Sequence, residues 1–181
     1  GLAKVYTGGS PVRVVTKEWQ FIGAGYIGPV PVPVIIMIIA IIITALMMNK
    51  TKLGRHIYAV GGNTQAAEFS GIKVARVKFI VHAYAGLMAG LAGIILASRM
   101  YSGQPTAGEG AEMDAIAAVV VGGTSMAGGS GKIGGTIIGA LIIGVLNNGL
   151  NLMNVNSFWQ DVVKGVVILL AVFIDYIRNR K

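Results

Sequence analysis

The chain has 181 residues, 54% hydrophobic and only 12% charged, with 27 glycines and a mean hydropathy of +0.72. A soluble domain carries about 25% charged residues, so this chain cannot cover a water-facing surface in the usual way, and its composition places it among membrane proteins. The net charge of +8 arises from basic residues that flank apolar runs, which argues against a nucleic-acid partner, and the absence of cysteine excludes disulfides, thiol catalysis and thiolate metal sites.

The chain starts at Gly1 without an initiator Met and lacks the regions of a signal peptide, so it is expected to be a fragment of a longer protein. Residues 1–29 are mixed. Gly8, Gly9, Ser10 and Pro11 read as a turn, and Lys17, Glu18, Trp19 and Phe21 as an interfacial stretch. A bilayer core about 30 Å thick needs roughly 20 apolar residues per helix. The first such run covers residues 30–48; its Pro31 and Pro33 are tolerated at a helix entrance, where N–H groups have no intrahelical partner anyway. A second covers 79–98, between Lys78 and Arg99, a third 133–153 and a fourth 158–177.

The connections differ in charge. Residues 49–78 hold Lys50, Lys52, Arg55, Lys73, Arg76 and Lys78 against the single acid Glu68, and the tail holds Arg178, Arg180 and Lys181. Residues 99–114 instead carry Arg99 with Glu109, Glu112 and Asp114. The positive-inside rule puts the 49–78 loop and the tail in the cytoplasm and the 99–114 loop outside. Three spans after residue 78 would strand the tail outside, so a further crossing is required, and residues 113–129 supply it as a short or broken helix ending near Lys132. Irregular backbone at that depth must be packed in protein or line a cavity. The expectation is an all-α polytopic transmembrane bundle, a single domain over 1–181 with about five crossings.

No enzyme motif stands up. Gly129, Gly131 and Gly134 match a GxGxxG pattern, but no strand precedes it and no acidic residue follows at the required distance. A phosphate-binding loop fails too, because Lys132 is followed by Ile133; a tight glycine turn is the preferred reading. His82 lies one turn inside Lys78 without an ionisable partner deep in any span, which favours a structural histidine over a proton relay. Asp161 with Lys164, and Asp175 with Arg178, are i,i+3 neighbours expected to neutralise one another at the interfaces. Small residues recur every four positions at Gly86 and Gly90, beside Ala85, Ala89 and Gly93, and again at Gly135, Gly139, Ala140 and Gly144. Such stripes let helix backbones approach closely, and packing within the chain is the preferred reading. Asn147, Asn151 and Asn154 share a helical face beside Asn148. Their amides need partners, either neighbouring helices, the preferred reading, or a polyhydroxylated solute.

The most specific element is Gly61, Gly62, Asn63, Thr64, Gln65, Ala66, Ala67, Glu68, Phe69, Ser70, Gly71 and Ile72, which reads as a short helix with a start and a stop. Asn63 or Thr64 can cap its N-terminus, and Gly71 fits the left-handed position past its end. So short a helix is marginal alone. With Phe69 and Ile72 as its only large apolar residues, it is better matched to a cytoplasmic protein partner than to the membrane surface.

The run Gly54-Arg55-His56-Ile57-Tyr58-Ala59-Val60-Gly61-Gly62-Asn63, with Ala66-Ala67 and Ser70-Gly71-Ile72, resembles the cytoplasmic coupling loop of the ribose/galactose/xylose-type ABC permeases. Val5 to Pro11, Gln104-Pro105-Thr106-Ala107-Gly108, Asp114 to Val120, Gly122-Gly123-Thr124-Ser125, Gly128-Gly129, Leu146 to Leu152 and Lys164 to Val172 fit the same family in order and spacing. The resemblance implies a type II-like ABC importer permease fold in the bacterial inner membrane, moving a monosaccharide as part of a homodimeric channel. It implies an extracytoplasmic sugar-binding protein outside and, inside, a separate ATPase subunit that holds the ATP and Mg. Residues 61–72 would dock on that ATPase as a coupling helix, and Asn147, Asn148, Asn151, Gly122, Gly123 and Thr124 are candidate pathway or packing positions. The chain itself would catalyse nothing and bind no cofactor or metal. Family members are longer, which implies that further N-terminal spans are missing here. Rival readings are a secondary transporter or channel subunit for a small polar solute, and a non-transporting assembly subunit.

Overall fold

The computed structural model describes residues 2–13 and 16–179, without the side chains of 174, 175, 178 and 179. The Asp175–Arg178 pair and the basic tail at Arg178, Arg180 and Lys181 therefore lie outside the described side chains. In chain order the elements are α1 (Leu2–Thr7), β1 (Val12–Arg13), α2 (Lys17–Ala24), β2 (Tyr26–Ile27), β3 (Val30–Pro31), α3 (Val32–Lys50), α4 (Lys52–Gly62), α5 (Thr64–Phe69), α6 (Val74–Arg99), β4 (Ser102–Gly103), α7 (Ala111–Val121), α8 (Ile133–Leu152) and α9 (Ser157–Asn179). The strands form two short antiparallel ladders, β1 with β4 and β2 with β3.

Three described helices, α3, α6 and α8, are long and apolar enough to cross a bilayer, with mean hydropathies of 2.6, 2.0 and 1.7. At 1.5 Å per residue they run about 28, 39 and 30 Å, the thickness of a bilayer core or more. The chain buries only 6%, 0% and 11% of their most apolar stretches. Ile42, Leu87 and Leu141 are accordingly more than half exposed. In water that surface would cost about 25 cal/mol per Å²; in lipid it costs nothing. The chain is thus an all-α, multi-pass membrane protein.

Each expected span has a helix, with shifted ends. α6 begins five residues before the expected Phe79, so Arg76 and Lys78 sit on its first two turns. Their aliphatic stems extend the helix while the charged heads reach for water. The fourth expected span coincides with the 23-residue α9. The short crossing at 113–129 is helical only up to Val121, within the 11-residue α7, whose length of about 16 Å is half of what a full crossing needs. The 49–78 connection is itself helical, with α4 and α5 separated by Asn63. Asp114, expected in the outer loop, lies within the first turn of α7.

The chain divides into two compact units, residues 1–51 with 75–109 and residues 52–74 with 110–181. In the first, β2 and β3 turn α2 back onto α3, with Gly28 at φ +62 in the hairpin. Ser98 of α6, fully buried, fastens α2: its hydroxyl accepts from Gly23 N–H (2.7 Å) and donates to the Trp19 carbonyl (2.5 Å). Gly23 permits the approach, because a Cβ there would lie 2.4 Å from the Arg99 nitrogen. Thr44 of α3 and the Tyr84 hydroxyl of α6 are 2.6 Å apart, a hydrogen bond across two spanning helices. Ser98→Ala removes both hydrogen bonds and is expected to cost about 1–2 kcal/mol, read as a lower unfolding midpoint in detergent.

In the second unit α7 packs against both α8 and α9. Ala117, Ala118 and Ile143 form the core, with Val121, Val167 and Ile168 against it. The glycine stripe of α8 faces α7: a Cβ on Gly139 would lie 2.0 Å from the Ala118 carbonyl oxygen, and one on Gly135 2.1 Å from that of Gly122. Packing within the chain holds at Gly135 and Gly139, while a Cβ on Gly144 meets nothing within 4 Å among the described residues. At the α6 stripe, added Cβ atoms on Gly86, Gly90 and Gly93 meet nothing within 4 Å among the described residues.

Candidate functional site

The connection between α3 and α6 is built as two helices in series. α4 was not evident in the sequence because Gly54, Gly61 and Gly62 lower its helix propensity. It forms because Leu53, Ile57 and Val60 recur on one face, and Gly54 and Val60 are buried. Asn63 then breaks the helix with extended backbone (φ −154°, ψ 104°), and its side chain accepts a hydrogen bond from Ala66 N–H at 2.9 Å, capping α5. Thr64, the other expected cap, bonds backward to the Val60 carbonyl (3.0 Å).

The end of α5 is equally defined. Ile72 N–H reaches the Ala67 carbonyl and Gly71 N–H that of Glu68, with Gly71 at φ +81; this is the paired 6→1 and 5→2 closure that a left-handed glycine permits. Ser70 adds a bond from its hydroxyl to the Ala66 carbonyl (2.9 Å). Between these caps only Ala67 is buried (4% exposed), Ala66 and Glu68 are exposed, and Phe69 is 91% exposed. The six-residue helix is thus closed at both ends and holds the Phe69 ring in the open.

Gly61 and Gly62, at the end of α4, meet Gly128 and Gly129 of the α7–α8 loop. A Cβ on Gly61 would sit 2.8 Å from the Gly129 nitrogen, and one on Gly128 2.5 Å from the Gly61 carbonyl oxygen. The Tyr58 hydroxyl donates to the Gly131 carbonyl (3.1 Å) beside them. Gly122, Gly123 and Thr124 stop α7 by the closure that ends α5: Thr124 N–H bonds the Val119 carbonyl and Gly123 N–H that of Val120, with Gly123 at φ +81. Their role in the fold is termination and packing.

Asn147 and Asn151 of α8 bond neighbouring helices, whereas Asn154, expected on the same face, lies past the end of the helix at φ +54. The Asn147 amide donates to Asp114 of α7 (3.1 Å), and Asn151 accepts from Gln160 of α9 (3.1 Å); Asn148 is exposed. Lys164 of α9 lies 2.9 Å from the second Asp114 oxygen and 3.7 Å from Asp161, with its side chain only 16% exposed. The expected Asp161–Lys164 pair is therefore the longer of two, and Asp114, read from the sequence as a loop acid, is the closer partner. Asp114, Asn147 and Lys164 thus tie α7, α8 and α9 together, beside a cavity of about 250 Å³ lined by Gly110, Met113, Asp161, Lys164, Gly165 and Ile168. Lys164→Met leaves Asp114 without its cation and is expected to destabilise the protein by roughly 1–3 kcal/mol, discounted for partial exposure. Adding Asp114→Asn should recover most of the loss, a coupling that a double-mutant cycle in detergent measures. His82 bonds the Lys78 carbonyl one turn back (2.8 Å). Among the described residues no group of His, Asp and Glu side chains could hold a metal ion.

The family profile described as branched-chain amino acid transport system / permease component matches residues 3–172. The chain belongs to this permease family. It is 56% identical over 177 residues to the ribose import permease protein of Bacillus subtilis (strain 168), covering 97% of this chain and 55% of that protein. It is 55% identical over 179 residues to that of Escherichia coli (strain K12), covering 97% and 56% respectively. With the xylose transport system permease protein of Haemophilus influenzae it shares 47% over 152 residues, 84% of this chain and 40% of that protein. The chain thus spans about half the length of the ribose permeases it matches. No solved structure matches it.

Proposed function

We propose that the chain is the C-terminal part of the permease subunit of an ABC importer, carrying ribose or a related monosaccharide across the bacterial inner membrane. The identity of 56% to a ribose import permease over 97% of this chain carries the reading. The profile's amino-acid description fits less well, because relatives at 47–56% identity are named for sugars. The chain hydrolyses nothing. A separate cytoplasmic ATPase, which holds the ATP and Mg, docks on residues 61–72, and an extracytoplasmic binding protein delivers the sugar to a permease homodimer. The six basic residues between 49 and 78 are held on the cytoplasmic side, residues 99–114 face outward, and the C-terminus returns to the cytoplasm. Gly61, Gly62, Asn63, Thr64, Ala66, Ala67, Glu68, Ser70, Gly71 and Ile72 form the coupling segment, moved as a rigid body by nucleotide-driven closure of the ATPase.

The test is ATP hydrolysis by the complete complex in vesicles. Ribose-loaded binding protein is expected to raise it severalfold. A response to xylose alone would redirect the cargo, and hydrolysis indifferent to every monosaccharide would contradict the importer reading.

A further inference from the structure

We infer that the glycine seat joining α4 to the α7–α8 loop is the joint through which the coupling segment moves α7 and α8. The inference rests on the importer reading above and adds the path of the motion within this chain.

Three observations carry it. First, the contact is backbone on backbone from both sides: Cβ atoms on Gly61, Gly128 and Gly129 would fall 2.8, 2.5 and 2.7 Å from main-chain atoms of the facing segment. Gly128 and Gly129 stand at φ +91 and +74, where other residues are strained. A displacement of α4 therefore meets no side chain that could rotate to absorb it. Second, the loop is closed on itself and on both helices. Ser125 N–H bonds the Ser130 carbonyl (3.0 Å) and Gly128 N–H the Ser125 carbonyl (3.1 Å). Thr124 fills the space over Gly131, and Tyr58 pins the Gly131 carbonyl to α4. Third, the loop ends α7 at Gly122 and starts α8 at Lys132, the N-cap. The two helices are locked by the Gly122–Gly135 and Ala118–Gly139 contacts, so a push on the loop moves both together. A chain of packed, rigid elements is what carries coupling between distant sites. Gly61 and Gly129 are then positioning residues, transmitting a movement whose source is the docked ATPase.

The test uses the complete complex in vesicles with [14C]ribose, comparing Gly128→Ala, Gly129→Ala, Tyr58→Phe and, as a control, Gly134→Ala, whose added methyl meets nothing within 4 Å. Co-purifying ATPase and basal hydrolysis are expected to stay within about twofold of the parent for all four. Ribose taken up per ATP is expected to fall about tenfold in the two seat variants and about threefold in Tyr58→Phe, within the range for substitutions along a coupling path. The control should match the parent. Parent-like uptake per ATP in both seat variants overturns the inference. Should the seat variants shed the ATPase, Tyr58→Phe decides, since it deletes one oxygen: reduced uptake per ATP with the ATPase retained supports the joint, and unchanged uptake overturns it. A parent complex that retains no ATPase or takes up no ribose fails differently; it overturns the importer reading, and the joint with it.

Discussion

Ala67→Arg is expected to strip the ATPase from the complex. Ala67 is the one buried residue of α5, at 4% exposure, and an arginine there must either bury an unpaired charge or lift the helix off its support. Either outcome misplaces the proposed docking surface. Phe69→Ser separates docking from folding, because a ring 91% exposed contributes little to the stability of the permease itself. If Phe69 is a docking anchor, its loss should weaken ATPase binding by about 2 kcal/mol, roughly thirtyfold. Pull-down of the ATPase with detergent-solubilised permease measures both, and retention of parent-like ATPase by Phe69→Ser would remove the aromatic anchor from the account. The thermal midpoint of Phe69→Ser should stay at the parent value throughout.

Gly139→Leu should prevent α7 and α8 from packing at all. Even a methyl at that position would lie 2.0 Å from the Ala118 carbonyl oxygen and 2.8 Å from the Gly122 nitrogen. The obstacle is helix backbone on both sides, so relief requires pulling the helices apart, and overpacking of this kind costs about 3 kcal/mol or more. The expected result is loss of the monodisperse peak in size-exclusion chromatography after solubilisation. Gly134→Ala, in the first turn of the same helix with open space around it, should run as the parent and gain slightly from the better helix former. The contrast separates a glycine required by a close approach from one that is merely present.

The sequence made the membrane class legible, because a run such as residues 32–50 has no use in water and needs no partner to be recognised. The caps of α5 were legible for a similar reason: Asn63 and Gly71 act on atoms within five residues of themselves. Helix α4 was hidden, since its three glycines argue against a helix locally and the backbone that its last glycines pack against lies far along the chain, at Gly128 and Gly129. Asp114 and Lys164 were hidden likewise. They are fifty residues apart, and the nearer Asp161 offered a local partner that the structure places farther away. The two glycine stripes look alike in sequence, yet only that of α8 finds its groove here, because α7 presents Ala118 and Gly122 to it. Periodicity records that a close approach is allowed and not which helix makes it.

Residues 49–78 are proposed to face the compartment that holds ATP. The chain has no cysteine, so Ser70→Cys adds a single thiol to this stretch at an exposed position and leaves the Phe69 ring in place. A membrane-impermeant maleimide should label it in inverted vesicles stripped of ATPase, less so once ATPase is restored, and not in intact cells. Labelling from outside intact cells would invert the orientation and contradict the coupling role of α4 and α5.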